Sequence, residues 1–316
     1  MTVDGARVSL FIGIVACGAF AGVVARAQPN APAPLHIEKV KDNLFVITGG
    51  RGTGSSSSTV SGNTTVFIAA SGVVLVDTKL PGFGAGILEQ VRSVTAKPIT
   101  MIINTHTHAD HTGGNPELPR NVEHIAQQNT RGNMAKMDLF KAANEGLLPT
   151  RTFTDRLSLL SGADRIDLYY FGPGHTNGDA IVVFPALRVA ATGDLFARKW
   201  APLVDAANGG SASQFPNTLD KAIAGIKDVD QLITGHATTP IGREGTFTSF
   251  SPLSKWSDLQ EYAAFTHALI DAARAARAAG KTADEALAGL KLPDKYRDYN
   301  MTNARADVQR VYEELK

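Results

Sequence analysis

The chain has 316 residues, of which 43% are hydrophobic and 19% are charged, with 31 basic and 30 acidic residues. This composition predicts a folded protein with a sizeable core in one or two domains. Residues 1–27 hold two of the basic residues and one of the acidic ones, so 29 of each sign remain without them. A chain so close to neutrality, with no basic cluster, argues against a nucleic-acid enzyme, and we expect no nucleic-acid partner.

Residues 1–27 have the pattern of a secretory signal peptide. Arg7 precedes an apolar run without charges at residues 8–25, and a motif of small residues around Ala27 resembles a cleavage site. Residues 28–35 contain several prolines and alanines and predict a linker. We therefore expect a periplasmic or secreted protein with no stable membrane insertion after cleavage.

Two alternatives stay open for this segment. The apolar run is just long enough for a membrane anchor, and the surroundings of Cys17 resemble a lipoprotein acylation box. Cleavage after Ala27 is favoured because the apolar run continues past Cys17. Cys17 is the only cysteine in the sequence, so its removal would leave neither a disulfide nor a cysteine ligand for a metal.

Apolar runs bounded by turn residues predict strands and helices along the first half of the chain. The predicted elements are strands within residues 36–46, 64–70 and 72–77, a helix at 83–95, and strands at 99–104 and 122–126. Residues 49–58 are rich in glycine and serine and predict a flexible hairpin tip, because the Gly-Lys-Ser/Thr ending of a phosphate-binding loop is missing. His124, in the last strand, is expected to be packed or hydrogen-bonded rather than metal-bound.

Three histidines and one aspartate fall within six positions directly after the strand at residues 99–104, namely His106, His108, Asp110 and His111. Side chains in an extended loop alternate, so His106, His108 and Asp110 are expected to point one way and His111 another. Neutral imidazole and carboxylate are ligands that zinc and iron accept. One short loop can thus supply ligands to two adjacent metals. We favour this interpretation over an ordinary polar surface loop because four potential ligands lie within six residues.

Further potential ligands follow in the second half of the chain. The predicted elements there are a helical and then irregular segment at 127–150, strands at 165–171, 180–184 and 187–191, a substrate-side loop at 196–214, a helix at 217–226 and a strand at 231–234. His175 lies in the loop between two of these strands, and Asp194 and His236 each follow a strand. Loops on a rigid scaffold of strands often carry functional sites.

Residues 246–316 have a helical pattern and predict a C-terminal helical extension to a catalytic domain at residues 36–245. Capping-box sequences at Ser257 and at Thr282 predict the starts of a long and a second helix. The long helix has one apolar face, which consists of Leu259, Tyr262, Thr266, Leu269, Ala273 and Ala276. His267 in this helix is interpreted as non-catalytic. The extension could cover the domain or form a homodimer contact.

The clustered motif resembles the signature of the metallo-β-lactamase fold hydrolases. The positions that carry the resemblance occur in the order of that family and are Asp77, His106, His108, Asp110, His111, His175, Asp194 and His236. The resemblance covers roughly residues 36–240. The irregular alternation of strands and helices already predicts a layered α/β domain. The resemblance implies an αββα sandwich, with the metals at one edge between the two sheets.

The resemblance also implies how the ligands divide between two metals. One metal would be bound by His106, His108 and His175. The other would be bound by Asp110, His111 and His236, with Asp194 bridging the two. Asp110 and His236 are also expected to act in catalysis, and Asp77 to orient the ligands without binding a metal. The implied cofactors are two zinc ions per chain, with iron and manganese as alternatives, and no organic cofactor.

The implied reaction is hydrolysis of a carbonyl-containing bond in a small molecule by a hydroxide that bridges the two metals, since one zinc already lowers the pKa of its water to about 7. Asp194 stands where true β-lactamases usually have cysteine or serine. An aspartate there resembles hydroxyacylglutathione hydrolases (glyoxalase II) and lactonases, which favours an ester, thioester, lactone or amide substrate. Two alternatives stay open: an exported metallo-β-lactamase similar to the all-histidine subclass, and an iron-dependent persulfide dioxygenase.

Overall fold

The computed structural model describes residues 1–2, 34–51, 60–197, 199–241 and 246–315. Almost all of the predicted signal peptide and of the predicted linker lies outside these ranges, as does most of the glycine- and serine-rich hairpin tip. No helix within these ranges is both long enough and apolar enough to cross a membrane.

Strands and helices alternate through the described residues. The strands are Leu35–Lys41 (β1), Leu44–Gly49 (β2), Thr64–Ala69 (β3), Gly72–Val76 (β4), Ile99–Asn104 (β5), Glu123–Gln127 (β6), Arg151–Phe153 (β7), Arg156–Leu159 (β8), Ile166–Tyr169 (β9), Ile181–Phe184 (β10), Val189–Ala191 (β11), Gln231–Ile233 (β12), Thr238–Ile241 (β13), Thr246–Ser249 (β14) and Leu253–Lys255 (β15). The helices are Gly84–Val94 (α1), Ala109–Thr112 (α2), Gln128–Met134 (α3), Phe215–Gly225 (α4), Trp256–Ala278 (α5), Ala283–Ala288 (α6) and Ala304–Glu314 (α7).

The strands form two main sheets. Strands β1 to β7 lie side by side in sequence order, antiparallel from β1 to β4 and parallel from β4 to β7. The second sheet has the order β15-β12-β11-β10-β9-β8, and its one parallel pair is β11 with β12. Strands β13 and β14 pair separately as a hairpin. Parallel neighbours place their carboxyl ends at one edge, so the loops after β4 and β5 meet there.

Alternating side chains build the layers, because neighbours along a strand point to opposite faces of a sheet. Phe67 on β3 enters the space between the two sheets, where its ring centroid lies 5.0 Å from that of Phe184 on β10. The preceding residue, Val66, packs instead with Ile87 of α1. Val183 on β10 belongs to the layer formed with α4 and α5. The result is the predicted helix–sheet–sheet–helix sandwich.

The C-terminal helices cover the outer face of the second sheet, as one of the two predictions for them required. Leu259 and Phe265 of α5 are fully buried in the same cluster as Leu232 of β12. The Phe265 ring stacks on Tyr299 with 4.0 Å between centroids. Truncating a buried aromatic side chain costs about 3–5 kcal/mol, so this packing contributes to the stability of the fold. The boundary after residue 245 and a homodimer contact through these helices stay predictions.

The two predicted helix starts had different outcomes. Helix α5 begins at Trp256, before the predicted capping residue Ser257, because the carboxylate of Asp258 accepts the backbone N–H of Lys255 at 2.8 Å. The predicted start at Thr282 is confirmed, since its hydroxyl accepts the backbone N–H three residues later and its own amide is bound in return. An acidic residue at the third helical position thus fixes the start of each of these two helices.

Candidate metal centre

The predicted ligands converge at one edge of the sandwich, each just beyond a strand. Asp77 follows β4, the histidine-rich cluster follows β5, His175 lies between β9 and β10, Asp194 follows β11, and His236 comes three residues after β12. The structure brings all of these side chains into contact with at least one other member of the set. The strand scaffold therefore assembles the site from five separate stretches of sequence.

The extended-loop prediction was wrong for Asp110. Residues Ala109–Thr112 form the helical turn α2, so Asp110 does not continue the alternation of the histidines before it. Its Oδ2 atom lies 3.3 Å from Nε2 of His236 and 3.6 Å from Nε2 of His111. Asp110 therefore faces the same group as His111, which is the division that the family resemblance implied.

The first group consists of His106, His108 and His175, and hydrogen bonds select one tautomer for each ring. His108 donates from Nε2 to Oδ2 of Asp205 at 2.7 Å, and His175 donates from Nδ1 to the carbonyl of Leu203 at 2.6 Å. The remaining nitrogens, Nδ1 of His108 and Nε2 of His175, then carry lone pairs and lie only 2.9 Å apart.

The third ring of the first group is arranged in the same way. The hydroxyl of Thr105 donates its one hydrogen to Oδ2 of Asp77 at 2.7 Å. Towards His106 the hydroxyl oxygen is therefore an acceptor, and Nδ1 of His106 donates to it at 3.0 Å. The Nε2 atom of His106 is buried and has no hydrogen-bond partner among the described residues. Three lone pairs without a proton between them are a set that suits a metal ion. The residues present therefore fit a metal at this position.

The second group consists of Asp110, His111 and His236. His111 donates from Nδ1 to Oδ2 of Asp77 at 2.8 Å, which leaves Nε2 facing Nε2 of His236 at 3.3 Å. The three ligand atoms of the group lie within 4.8 Å of one another. Two imidazole nitrogens and a carboxylate oxygen gathered in this way also fit a metal ion.

Asp194 lies between the two groups. Its Oδ1 atom is 3.4 Å from Nε2 of His111, and its Oδ2 atom is 3.3 Å from Nε2 of His236 and 3.8 Å from Nε2 of His175. Oδ1 is buried and makes no hydrogen bond within the described part of the chain. One carboxylate thus reaches donor atoms of both groups.

Asp77 has its oxygens occupied by the loop that carries the cluster. Oδ1 accepts the backbone N–H of Thr105 at 2.8 Å, and Oδ2 accepts from the Thr105 hydroxyl and from Nδ1 of His111. Asp77 is also near enough to His106 and His111 to form a third cluster of ligand atoms. Because its oxygens are already engaged, Asp77 is better placed to orient His111 than to bind a metal, and its role stays a prediction.

The two groups differ in their electrostatics. Burial lowers the pKa of His106 well below its usual range, and the neighbouring histidines lower it further. Burial alone would also lower the pKa of His111, but the carboxylates, Asp110 and Asp194 above all, raise it well above the usual value. The same two carboxylates raise the pKa of His236 against the effect of burial. The first group therefore favours a neutral His106, whereas the carboxylates of the second group favour the protonated forms of His111 and His236.

Asp205 and the carbonyl of Leu203 are functional groups that the sequence did not predict. Both belong to the predicted substrate-side loop, and each fixes one histidine of the first group. Burial alone would raise the pKa of Asp205, but hydrogen bonds from Asn208 and His108 lower it to about 2. Asp205 is therefore a carboxylate at neutral pH and can hold His108 in its tautomer. His124 is buried as predicted, and its ring nitrogens have no partner in the described residues.

The chain matches a known family over more than half of its length. The sequence model described as the metallo-beta-lactamase superfamily matches residues 58–236. That range contains the whole cluster, His175, Asp194 and His236. The chain belongs to the metallo-beta-lactamase superfamily.

Individual relatives come from two branches of hydrolases. A metallo-beta-lactamase type 2 of Elizabethkingia meningoseptica is 29% identical over 168 residues, which are 50% of this chain and 60% of that protein. A hydroxyacylglutathione hydrolase of Nostoc punctiforme is 32% identical over 117 residues, which are 37% of this chain and 41% of that protein. Both alignments span less than two thirds of the relatives' own length.

Solved structures share the fold. A metallo-beta-lactamase from Pontibacter korlensis superposes with a TM-score of 0.59 at 19% identity, over 74% of this chain and 99% of that chain. The DIM-1 metallo-beta-lactamase superposes with a TM-score of 0.57 at 20% identity, over 75% of this chain and 99% of that chain. The likeness concerns the architecture, and it confirms the predicted sandwich.

Proposed function

We propose that this protein is a hydrolase with two zinc ions per chain that cleaves an ester, thioester, lactone or amide bond of a small molecule. The observation that carries the proposal is the position of Asp194. Its Oδ1 atom lies 3.4 Å from Nε2 of His111, and its Oδ2 atom lies 3.3 Å from Nε2 of His236 and 3.8 Å from Nε2 of His175. A carboxylate that reaches both groups is suited to hold two cations close together and to lower their combined charge.

The site residues would have two kinds of role, namely metal binding and proton transfer. His106, His108 and His175 would hold one zinc ion, and Asp110, His111 and His236 the other, with Asp194 shared. When bound, the two ions would supply an activated water near neutral pH and stabilisation of developing negative charge. The side chain of Asp110 is 20% exposed, against 9% for Asp194 and 3% for Asp77. Asp110 is thus the most exposed of these three carboxylates, and its carboxylate is suited to accept and return a proton.

A hydrolysis panel tests this proposal. Zinc-loaded protein would be assayed with a thioester, a lactone, a phosphoester and a β-lactam, and metal content would be measured on the same sample. We expect about two zinc ions per chain and turnover of the thioester or the lactone. Turnover of the phosphoester alone would overturn the carbonyl assignment. Iron in protein purified from its native host, together with oxygen consumption on a persulfide, would favour the dioxygenase alternative.

A metallo-β-lactamase is the second candidate, favoured by the type 2 relative from Elizabethkingia meningoseptica, which aligns with half of this chain. Asp194→Ser discriminates between the two, because serine at this position imitates the all-histidine β-lactamases. A thioesterase or lactonase should lose activity with this change, since serine cannot reach both groups with two oxygens. A β-lactamase should keep its β-lactam turnover.

Export to the periplasm or the medium is part of the proposal, and it rests on the sequence of residues 1–27. The apolar run without charges and the small residues around Ala27 predict that the exported protein begins at Gln28. Intact mass spectrometry of protein from its native host decides this prediction. A retained Met1, or the added mass of lipid on Cys17, would contradict soluble export.

A further inference from the structure

Lys79 is fully buried. Lysine is almost never buried so completely unless its amine is paired. Its Nζ atom donates to the carbonyl of Gly62 at 2.8 Å and to that of Gly49 at 3.1 Å. Burial lowers the pKa of Lys79 to about 7, and the nearby Asp77 carboxylate opposes this lowering. Both the ammonium and the neutral amine have enough hydrogens for two donated bonds, so the contacts persist in either state.

The two carbonyls belong to the two ends of the connection between β2 and β3. Gly49 is the last residue of β2, and Gly62 lies two residues before β3. The backbone N–H of Gly62 donates to the carbonyl of Asp110 at 3.0 Å, and that of Asn63 donates to the carbonyl of Gly235 at 2.7 Å. The segment Gly62–Asn63 therefore links the loop that carries Asp110 to the loop that carries His236.

This segment also touches His111 directly. A Cβ atom placed on Gly62 would lie 2.3 Å from Cε1 and 2.6 Å from Nε2 of the His111 ring. No side chain fits in that space, so the backbone itself forms the wall behind the ring. Any shift of Gly62 away from this position would leave His111 with room to turn, and any shift towards it would displace the ring.

The backbone at Lys79 is strained in a way that supports a specific role. Asp77 and Lys79 have φ values of 62° and 66°, in the left-handed region that residues other than glycine rarely adopt. Between them, Thr78 donates its backbone N–H to the carbonyl of His111 at 2.8 Å. Three consecutive residues thus contact either His111 or the segment behind it, and the strain is retained where they do so.

We propose that Lys79 is a positioning residue for the second metal group, which holds Gly62 against His111 and thereby fixes the spacing of Asp110, His111 and His236. The proposal rests on the proposed function in so far as the group binds metal. The amine acts as a tether. It joins the carbonyls of Gly49 and Gly62 from one side, next to the backbone hydrogen bond from the N–H of Ser61 to the carbonyl of Gly50 at 2.9 Å, and the tethered backbone limits the motion of the His111 imidazole.

The test compares two lysines that make the same kind of contact. Lys97 donates from Nζ to the carbonyls of Ala69 and Ala70 at 2.8 and 3.2 Å, at the turn between β3 and β4, which is the opposite end of these strands. Lys79→Met and Lys97→Met therefore each remove two hydrogen bonds to backbone carbonyls, from a buried lysine at the site and from an exposed lysine away from it. Stepwise zinc affinities would be measured by chelator competition and assigned to the two groups with His108→Ala and His236→Ala as references.

We expect Lys79→Met to weaken zinc binding at the second group by about tenfold, as for other groups that orient a metal ligand, and to leave the first group unchanged. Lys97→Met should leave both affinities unchanged. Equal losses at both groups in Lys79→Met would overturn the proposal in favour of general loosening. Unchanged affinities would overturn it outright.

A second readout needs no metal. In the metal-free protein, the imidazole NMR signals of His111 should shift or broaden in Lys79→Met and stay in place in Lys97→Met. This measurement distinguishes the two ideas, because it still tests the tether if the wild-type protein binds fewer than two zinc ions and the proposed function fails. Unmoved His111 signals in a folded Lys79→Met protein would contradict the tether.

If Lys79→Met does not fold, Gly62→Ala decides the question while leaving the lysine in place. The added methyl would press on the His111 ring, and we expect the same selective loss at the second group. Retention of both zinc affinities in Gly62→Ala would show that the contact between Gly62 and His111 does not control the group, which would overturn the proposal.

Discussion

The two halves of the candidate metal centre are built on different principles. In the first group, the three rings are fixed from outside by Asp205, the carbonyl of Leu203 and the hydroxyl of Thr105, so that unprotonated nitrogens face one another. In the second group, the histidines lie among carboxylates that favour their protonated forms. The first group is arranged by hydrogen bonds to direct lone pairs inward, whereas the carboxylates of the second group raise the pKa values of its histidines.

This difference predicts that the two groups would bind metal ions with unequal affinities. A metal entering the first group displaces no proton from His106, and it gains three donors whose orientation is already set. A metal entering the second group gains carboxylate charge but competes with protons for His111 and His236, because the carboxylates raise the pKa values of both rings. We therefore infer that the first group fills more readily at low pH and that the second gains affinity as the pH rises.

Removal of Asp194 should have the largest effect, because this carboxylate serves both halves. Asp194→Ala should weaken zinc binding, more at the second group than at the first, and lower turnover by about ten- to a hundredfold or more, by analogy with lost groups that support a metal. Metal content and turnover of the best substrate measure both effects. Asp194→Asn, which keeps the shape and removes the charge, separates charge from packing. Full turnover with both metals in Asp194→Ala would make the carboxylate a bystander.

The pH dependence of zinc binding should differ between the two groups. Carboxylates raise the pKa values of His111 and His236 against the effect of burial, so protons compete with zinc for these rings increasingly as the pH falls. The affinity of the second group should therefore drop about tenfold per pH unit for each proton displaced. The depressed pKa of His106 predicts a shallower dependence for the first group.

Chelator competition at several pH values between about 6 and 8, around the usual histidine pKa, would give the two slopes. Proton release on zinc binding, followed with an indicator dye in weak buffer, provides an independent count. Asp110→Asn should flatten the slope of the second group, because one of the carboxylates that holds the protons is gone. Parallel slopes in the wild-type protein would contradict the electrostatic distinction between the groups.

Sequence reasoning identified the candidate ligands that the structure brings together because their chemistry is local in sequence. Four of them share one short stretch after β5, and His175, Asp194 and His236 each come soon after a predicted strand. The layers were also accessible, since apolar runs mark strands such as β3 and β10 directly. Short polar elements could not be predicted in this way. Strand β7, Arg151–Phe153, lies just beyond the segment predicted as irregular and has only one buried residue, so it has no apolar pattern. Helix α7 was missed as well.

The outer contacts of the site could not be read from the sequence for a physical reason. Asp205 is 97 positions from His108, and the loop that carries it has no periodicity that would fix its place. The error for Asp110 arose differently, because extended geometry was assumed where a single helical turn begins at Ala109. Contacts made by irregular backbone depend on the folded loop as a whole, and local pattern does not specify them.

Asp205→Asn should have the smallest effect of these changes, and it tests most selectively whether the two groups are supported independently. Its carboxylate accepts from Nε2 of His108, which keeps Nδ1 free to bind a metal beside His175. Asp205→Asn retains an oxygen that can accept but removes the charge that makes the imidazole a stronger donor. We expect zinc affinity of the first group to fall by about tenfold, with little change at the second.

This change is informative because it should affect one group and not the other. The matched control is the corresponding change at the second group. Asp77→Asn alters the corresponding contact to His111 and should weaken the second group instead, although Asp77 also holds Thr105 and so affects His106 indirectly. Stepwise zinc affinities of the two variants should therefore show opposite preferences. If Asp205→Asn weakened the second group as much as the first, the carboxylate would act through the loop as a whole, and the division into two independently supported halves would be wrong.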